Sequence, residues 1–181
     1  MSFRPSTIRH VHIWVSPDIR ADHAHLSGLI LDAFQGVPAF DVLVRVERAK
    51  RPALSFAGRA YPEPSASMMR GMEARYLVRL LLPSVLRNRA YPKTYRYARR
   101  TTAPWITVGD WRERVIALAA HEAYHVHQFR EGLRRSEVQA ERWAVKVLLS
   151  WREQEPPAEP ADLDRWPRQL SLDEALASTY A

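Results

Sequence analysis

The chain contains no cysteine in 181 residues. That excludes disulfides and thiolate metal sites, so a transition metal held here must take its ligands from histidine, aspartate and glutamate. No segment approaches the roughly 18 consecutive apolar residues of a membrane span, and the N-terminus MSFRPSTIRHVHIWV offers no uninterrupted apolar stretch of the kind a secretory signal needs. The expectation is a soluble, cytoplasmic protein with no membrane partner. There is no internal repeat either. The length suits one domain with a sizeable core and is short for two, and 46% hydrophobic with 26% charged residues is too ordinary a balance for wholesale disorder.

What is abundant is positive charge. The 27 Lys and Arg, nearly all arginine, against 20 Asp and Glu leave a net charge of +7. Such a balance favours anionic partners through long-range steering, although arginine also serves as an ordinary solvating residue. The stretch NRAYPKTYRYARRTTAP concentrates it, interleaving Arg89, Lys93, Arg96, Arg99 and Arg100 with Tyr91, Tyr95 and Tyr97. Residues 89–100 are therefore a candidate nucleic-acid contact, rings stacking bases and cations tracking phosphates; a surface loop or hairpin is the plainer reading.

Taken in order, Val11, Ile13 and Val15 alternate with His12 and Trp14 as in a half-buried strand. Ser16-Pro17-Asp18 offers an N-cap, a first-turn proline and an acid, predicting a helix of about five turns whose buried face is Ile19, Leu26, Leu29, Ile30, Ala33 and Phe34 and whose stop is Gly36. Phe40 to Val46 alternates again as a second strand, Ala53 to Ala57 offers a short third, and Tyr61-Pro62-Glu63-Pro64-Ser65 reads as a loop. Tyr76 to Leu82 (YLVRLLL) fits a buried strand or a short helix, and Trp105 to Val108 a short strand ending at Gly109. Asp110 with Glu113 predicts the capped start of a long helix that Gly132 ends; Ser136 with Gln139 predicts the start of another, running to about Gln154. The domain then spans 1–155. Residues 156–181 form a Pro-rich tail with few aliphatics, in which SLDEALASTY could add a helical turn or two.

Inside the long helix lies His121-Glu122-Ala123-Tyr124-His125, the H-E-x-x-H pattern of zinc-dependent hydrolases. Composition alone would produce such an arrangement in about 2% of chains of this make-up. Positions four apart on a helix project side by side, so both imidazoles can converge on one ion. Glu122, one step round, can reach a water at that ion without ligating the metal. A metzincin continuation would need Gly at position 128 and His at 131, where the chain has Gln128 and Glu131, and no methionine comes after Met72 for a Met-turn. The second helix opens instead with Glu137-Val138-Gln139-Ala140-Glu141-Arg142-Trp143-Ala144.

HEAYH with EVQAERWAVKVLL downstream resembles the gluzincin metallopeptidases, and its E-x-x-A-x-R-aromatic-A run is similar to the ImmA/IrrE family of small bacterial and phage peptidases. The resemblance covers about 30 residues. It implies His121, His125 and Glu137 as ligands of Zn2+, Glu122 as general base, and Glu141 as the acid that orients the first histidine. The chain departs from the usual pattern at His127, where a hydrophobic residue is typical; His127 is a surface residue, a substrate contact or an oxyanion donor. In a tight antiparallel hairpin Glu141 would lie level with His125 and Glu137 nearer the turn, so Glu137 requires an angled crossing of the two helices. Glu141 is the alternative ligand and Glu131 a more distant one. The pairs His10/His12 and His23/His25 lack acidic partners at ligand spacing and are expected to be solvated or hydrogen-bonded.

The expected architecture is α+β: a minimal zincin-like domain in which an N-terminal helix and a small twisted mixed sheet pack on the active-site helix, with a second, ligand-bearing helix after it. The expected function is zinc-dependent peptidase, hydrolysing the peptide bonds of a protein or peptide substrate through a metal-activated water, with the 105–108 strand as the sheet edge that receives it. No organic cofactor is implied. Two alternatives stand beside it: a non-catalytic zinc-stabilised regulatory domain, and a basic nucleic-acid-associated protein.

Overall fold

The computed structural model describes residues 11–37, 41–50, 56–86, 91–96 and 103–154. Across them the elements run β1 (Val11–Val15), α1 (His23–Phe34), β2 (Val42–Arg48), β3 (Ala57–Tyr61), α2 (Ala66–Met69), β4 (Tyr76–Leu82), β5 (Lys93–Tyr95), β6 (Ile106–Val108), α3 (Trp111–Arg130) and α4 (Glu137–Gln154). The architecture is α+β, with four helices and a small mixed sheet among the described residues. The Pro-rich tail at 156–181, the 53–55 portion of the expected third strand, Phe40, His10 and all of 89–100 except Tyr91 to Arg96 lie outside them.

The main sheet has the order β1-β2-β4-β3; β1, β2 and β4 are parallel and β3 pairs antiparallel with β4 along the edge. Parallel strands need a crossover, and α1 supplies it between β1 and β2. On one face Val42, Val44, Val46, Val78, Leu80 and Leu82 join the residues of α1, α3 and α4 in one core. On the other, Leu43 and Leu77 pack with Met69 beneath the single turn of α2. Burial on both faces explains why β4 reads as a continuous apolar run without alternation.

The first helix begins six residues later than a cap at Ser16 predicts. Ser16 N donates to Val46 O (2.9 Å), Ile19 N to Ser16 O (3.0 Å) and Arg20 N to Ser84 O (2.7 Å), which binds residues 16–20 as a turn to the ends of the strands. The cap is Asp22, whose Oδ1 accepts from Ala24 N (2.9 Å) and His25 N (3.1 Å), and α1 has 12 residues, three turns in place of five. Gly36, at φ +81°, lies just past its C-terminus.

The strand expected at 105–108 is Ile106–Val108, and it pairs with β5 in a separate two-stranded sheet, not at the edge of the main one. Trp105 precedes it, 63% exposed, with the Arg96 guanidinium 4.7 Å from its ring centroid. The edge strand beside α3 is β3.

Both long helices start where their caps predict. Asp110 Oδ1 accepts from Arg112 N (2.8 Å) and Glu113 N (3.0 Å), while Glu113 Oε2 reaches back to Gly109 N (2.5 Å). Wholly buried Glu113 also receives Arg152 Nε at 2.7 Å, and Arg152 Nη2 donates to Thr107 O at 2.9 Å. This clamp joins the end of α4 to the start of α3 and to β6. Ser136 Oγ accepts from Gln139 N (3.4 Å) at the start of α4. The Gln139 side chain does not complete a capping box, because its Oε1 is turned toward Gln128 of α3.

Candidate metal centre

Helix α3 is the innermost helix, packing on α1, α4, β3 and β4. Its Ala117, Ala119, Ala120 and Ala123 are wholly buried. Small side chains there let the neighbouring elements approach the backbone closely, and the polar residues between them are carried into the interior: His121 and Glu122 are each 3% exposed and His125 is wholly buried.

The i, i+4 spacing brings the two imidazoles together, His125 Nε2 lying 3.2 Å from His121 Nε2. Glu137, the first residue of α4, directs Oε2 into the same place, 3.1 Å from His121 Nε2 and 3.4 Å from His125 Nε2. These bonds from His121 and His125 hold the Glu137 carboxyl well below the usual carboxylate range. Among the described residues this is the one group of three side chains whose donor atoms converge as metal ligands would. Donors about 2.0–2.1 Å from a zinc ion at tetrahedral angles are about 3.3–3.4 Å apart, so a triangle of 3.1, 3.2 and 3.4 Å comes close to the edges such an ion would set. Two imidazole nitrogens and one carboxylate also suit zinc chemically.

Gln128, to which sequence reasoning gives no positive role, holds this arrangement. Its Oε1 accepts from Ser136 N (3.3 Å), a group that can only donate, and the same oxygen faces His125 Nδ1 at 2.9 Å. His125 Nδ1 therefore carries a proton, and Nε2 is the ring nitrogen left to face the triad. Gln128 Nε2 donates to Gln139 Oε1 (3.2 Å) and Gln128 O accepts from Leu133 N (2.8 Å). One wholly buried side chain thus orients a histidine, fixes the α3–α4 turn and ties in α4. Its signal in the sequence is an amide three residues after His125, on the same side of the helix. Arg135 is a second such residue: its Nε donates to Glu137 Oε1 (2.9 Å), which leaves Oε2 as the oxygen facing the histidines.

Glu122 points under the sheet edge. A Cβ built on Gly58 of β3 would lie 2.5 Å from Glu122 Cγ and 2.6 Å from Oε1, so the strand backbone crosses the carboxyl at a distance only glycine permits. Burial pushes the Glu122 pKa up, against the lowering effect of His121 and His125, and its Oε2 has no hydrogen-bond partner among the described residues. A desolvated, unpartnered carboxylate beside two imidazoles is equipped to take up a proton. Nothing local to Gly58 in the sequence marks it, because its role depends on β3 lying over α3.

The remaining candidates stand apart. Glu141, one turn along α4, is wholly buried and lies outside the converging group; Glu131 is exposed at the C-cap of α3, 3.6 Å from Arg130 Nε. His127 is two positions beyond His125 and so on the other side of the helix, its ring 5.5 Å from that of Tyr124. His23 Nε2 is 3.0 Å from Ile19 O and the His25 ring packs edge-on to Trp111 at 5.8 Å, while His12 is exposed. Comparison of the chain with protein-family models, curated proteins and solved structures returns no match.

Proposed function

We propose that the chain is a gluzincin-type zinc peptidase with a zincin-like fold, in which His121, His125 and Glu137 hold the ion and Glu122 is the general base. The observation that carries the reading is the combination in one place of a donor triangle close to tetrahedral edges and, on the next residue of the same helix, a desolvated carboxylate whose Oε2 has no hydrogen-bond partner among the described residues. Zinc bound there supplies a Lewis acid that acidifies water and polarises a carbonyl. The chain's own residues do the rest. Glu122 accepts a proton from the attacking water and, being buried, is basic enough to take it and acidic enough to pass it to the leaving amine. Among the described residues strand β3 pairs with β4 on one edge and with no strand on the other, and an extended peptide added to that second edge would run beside Glu122 with its backbone hydrogen-bonded to the strand.

A non-catalytic zinc-stabilised domain is the competing reading, favoured by the near-complete burial of His121, Glu122 and His125. The side chain of Glu137, 40% exposed, brings one corner of the donor triangle to the surface. The two are separated by loading the protein with zinc, measuring metal stoichiometry, and incubating it with a protein-derived peptide library read by mass spectrometry. Cleavage that disappears in Glu122→Gln while one zinc per chain is retained is the expected result. Zinc binding with no cleavage of any library leaves the stabilised domain; cleavage unchanged in Glu122→Gln overturns the mechanism.

A further inference from the structure

The sheet has a second face, turned away from α1, α3 and α4, and a row of charge crosses it. In register over all four strands, Trp14 of β1 lies opposite Arg45 of β2, Arg45 opposite Arg79 of β4, and Arg79 opposite Arg59 of β3. Neighbouring strands are about 4.8 Å apart, so an indole and three guanidinium-bearing side chains stand in a line about 14 Å long. Arg70, at the C-cap of α2, reaches the same row from outside the sheet: its guanidinium and that of Arg45 are each 5.5 Å from the Trp14 ring centroid.

Like charges opposite one another on adjacent strands repel, and here two such pairs are consecutive. Glu47, two residues after Arg45 on the same face, is the carboxylate that answers them, bonded to Arg45 and, at 2.5 Å, to Arg79. Among the described residues Arg59 and Arg70 have no carboxylate in salt-bridge range, so four guanidinium groups share one acid. Arg45 is 3% exposed and its Nε, like that of Arg79, is buried with no hydrogen-bond partner among the described residues. Among the described residues the row therefore carries more positive charge than its one carboxylate neutralises.

We propose that this face binds single-stranded nucleic acid, with Arg59, Arg70 and Arg79 on the backbone phosphates and the rings of Trp14 and Tyr61 against the bases. A lone phosphate would call for donors converging on one point; a line of donors across strands suits a linear polyanion. Tyr61 lies two residues beyond Arg59 on the same face of β3, with the Arg59 guanidinium 5.3 Å from its ring centroid, so aromatic rings flank the cations at both ends of the row. Sheet faces that combine rings with cations engage unstacked bases, and a duplex, whose bases are already stacked, cannot use the rings. The net charge of +7 acts in the same sense at long range.

The test uses the full zinc-loaded chain and a fluorescently labelled thymidine oligonucleotide, monitored by anisotropy at several salt concentrations. Contacts to three phosphates predict a slope of log Kobs against log salt of about −2. The Arg59→Glu/Arg70→Glu variant, at two exposed positions, should lose at least tenfold in affinity while keeping its zinc content and circular dichroism. Equal affinity in that variant, equal or tighter binding of the duplex, loss of binding on Arg96→Glu instead, or binding to anionic phosphatidylserine vesicles without binding to the oligonucleotide would each overturn the proposal.

Discussion

Replacing Gln128 by Leu is the most searching perturbation of the metal centre that leaves all three candidate ligands in place. Leucine fills nearly the same volume, so the change removes hydrogen bonds without opening a large cavity. It strands two groups: His125 Nδ1–H, on a wholly buried ring, and Ser136 N–H. A buried donor left unsatisfied costs about 1–3 kcal/mol, and losing the partner that orients a ligating histidine costs about 10–100-fold in metal affinity. Competition against a chromophoric chelator should therefore show the zinc Kd of Gln128→Leu raised by about 10–100-fold, or about 1.4–2.7 kcal/mol. Gln128→Glu separates orientation from packing, because a carboxylate still accepts from His125 Nδ1 and Ser136 N while it repels Gln139 Oε1. It should hold zinc within a few-fold of the unaltered chain even where its metal-free form is less stable. Zinc bound by Gln128→Leu as tightly as by the unaltered chain would refute the orienting role, whatever happened to thermal stability.

Two further substitutions probe the frame around the site. Gly58→Ala places a methyl within 2.5 Å of Glu122 Cγ; overpacking of this kind costs about 1–3 kcal/mol, so urea denaturation should show that loss together with a fall in turnover, and a neutral result would mean that β3 does not cross Glu122 this closely. Glu113→Ala leaves Arg152, 13% exposed at its side chain, without its buried partner; breaking a buried pair from one side costs about 3–5 kcal/mol, and a loss under 1 kcal/mol in the same assay would show the clamp between α3, α4 and β6 to be incidental.

The parts of this molecule legible in its sequence are those whose signals are local. Asp110 and Glu113 announce the start of α3 because a capping box is closed within four residues, and the burial of Val115, Leu118 and Val126 comes from a single helical face. The start of α1 is misread because Ser16-Pro17-Asp18 satisfies every local rule for a cap, yet Val46 and Ser84, 30 and 64 positions from their partners Ser16 and Arg20, claim the backbone first. Gly58 is invisible for the same reason, its necessity arising from Glu122, 64 residues away. Strand β4 lies between the two cases: its composition dictates burial, but only pairing with β2 and β3 on either side makes it a strand.

The choice between Glu137 and Glu141 turns on a distinction that helix periodicity cannot make. Both acids lie on one side of α4, four residues apart, and a tight antiparallel hairpin would set the later one level with His125. The α3–α4 turn is not a simple hairpin, because Gln128 receives Ser136 N and its own carbonyl receives Leu133 N, drawing the turn back along α3 toward the histidines. That retraction brings the first residue of α4 level with them, and Arg135 holds the outer oxygen of Glu137 so that the inner one faces both rings. Glu141 is carried into the interior, wholly buried. The two acids should therefore fail differently. Glu137→Gln removes an anionic donor from the triangle and should weaken zinc by more than about 100-fold, since a neutral amide is a poor ligand for this ion. With Glu137 as the ligand, Glu141→Gln should lower affinity by no more than about 10–100-fold, the range of an indirect partner, while retaining one zinc per chain at saturation. Stoichiometric, tight zinc in Glu137→Gln with its loss in Glu141→Gln would reverse the assignment and require α4 to sit one turn further along α3.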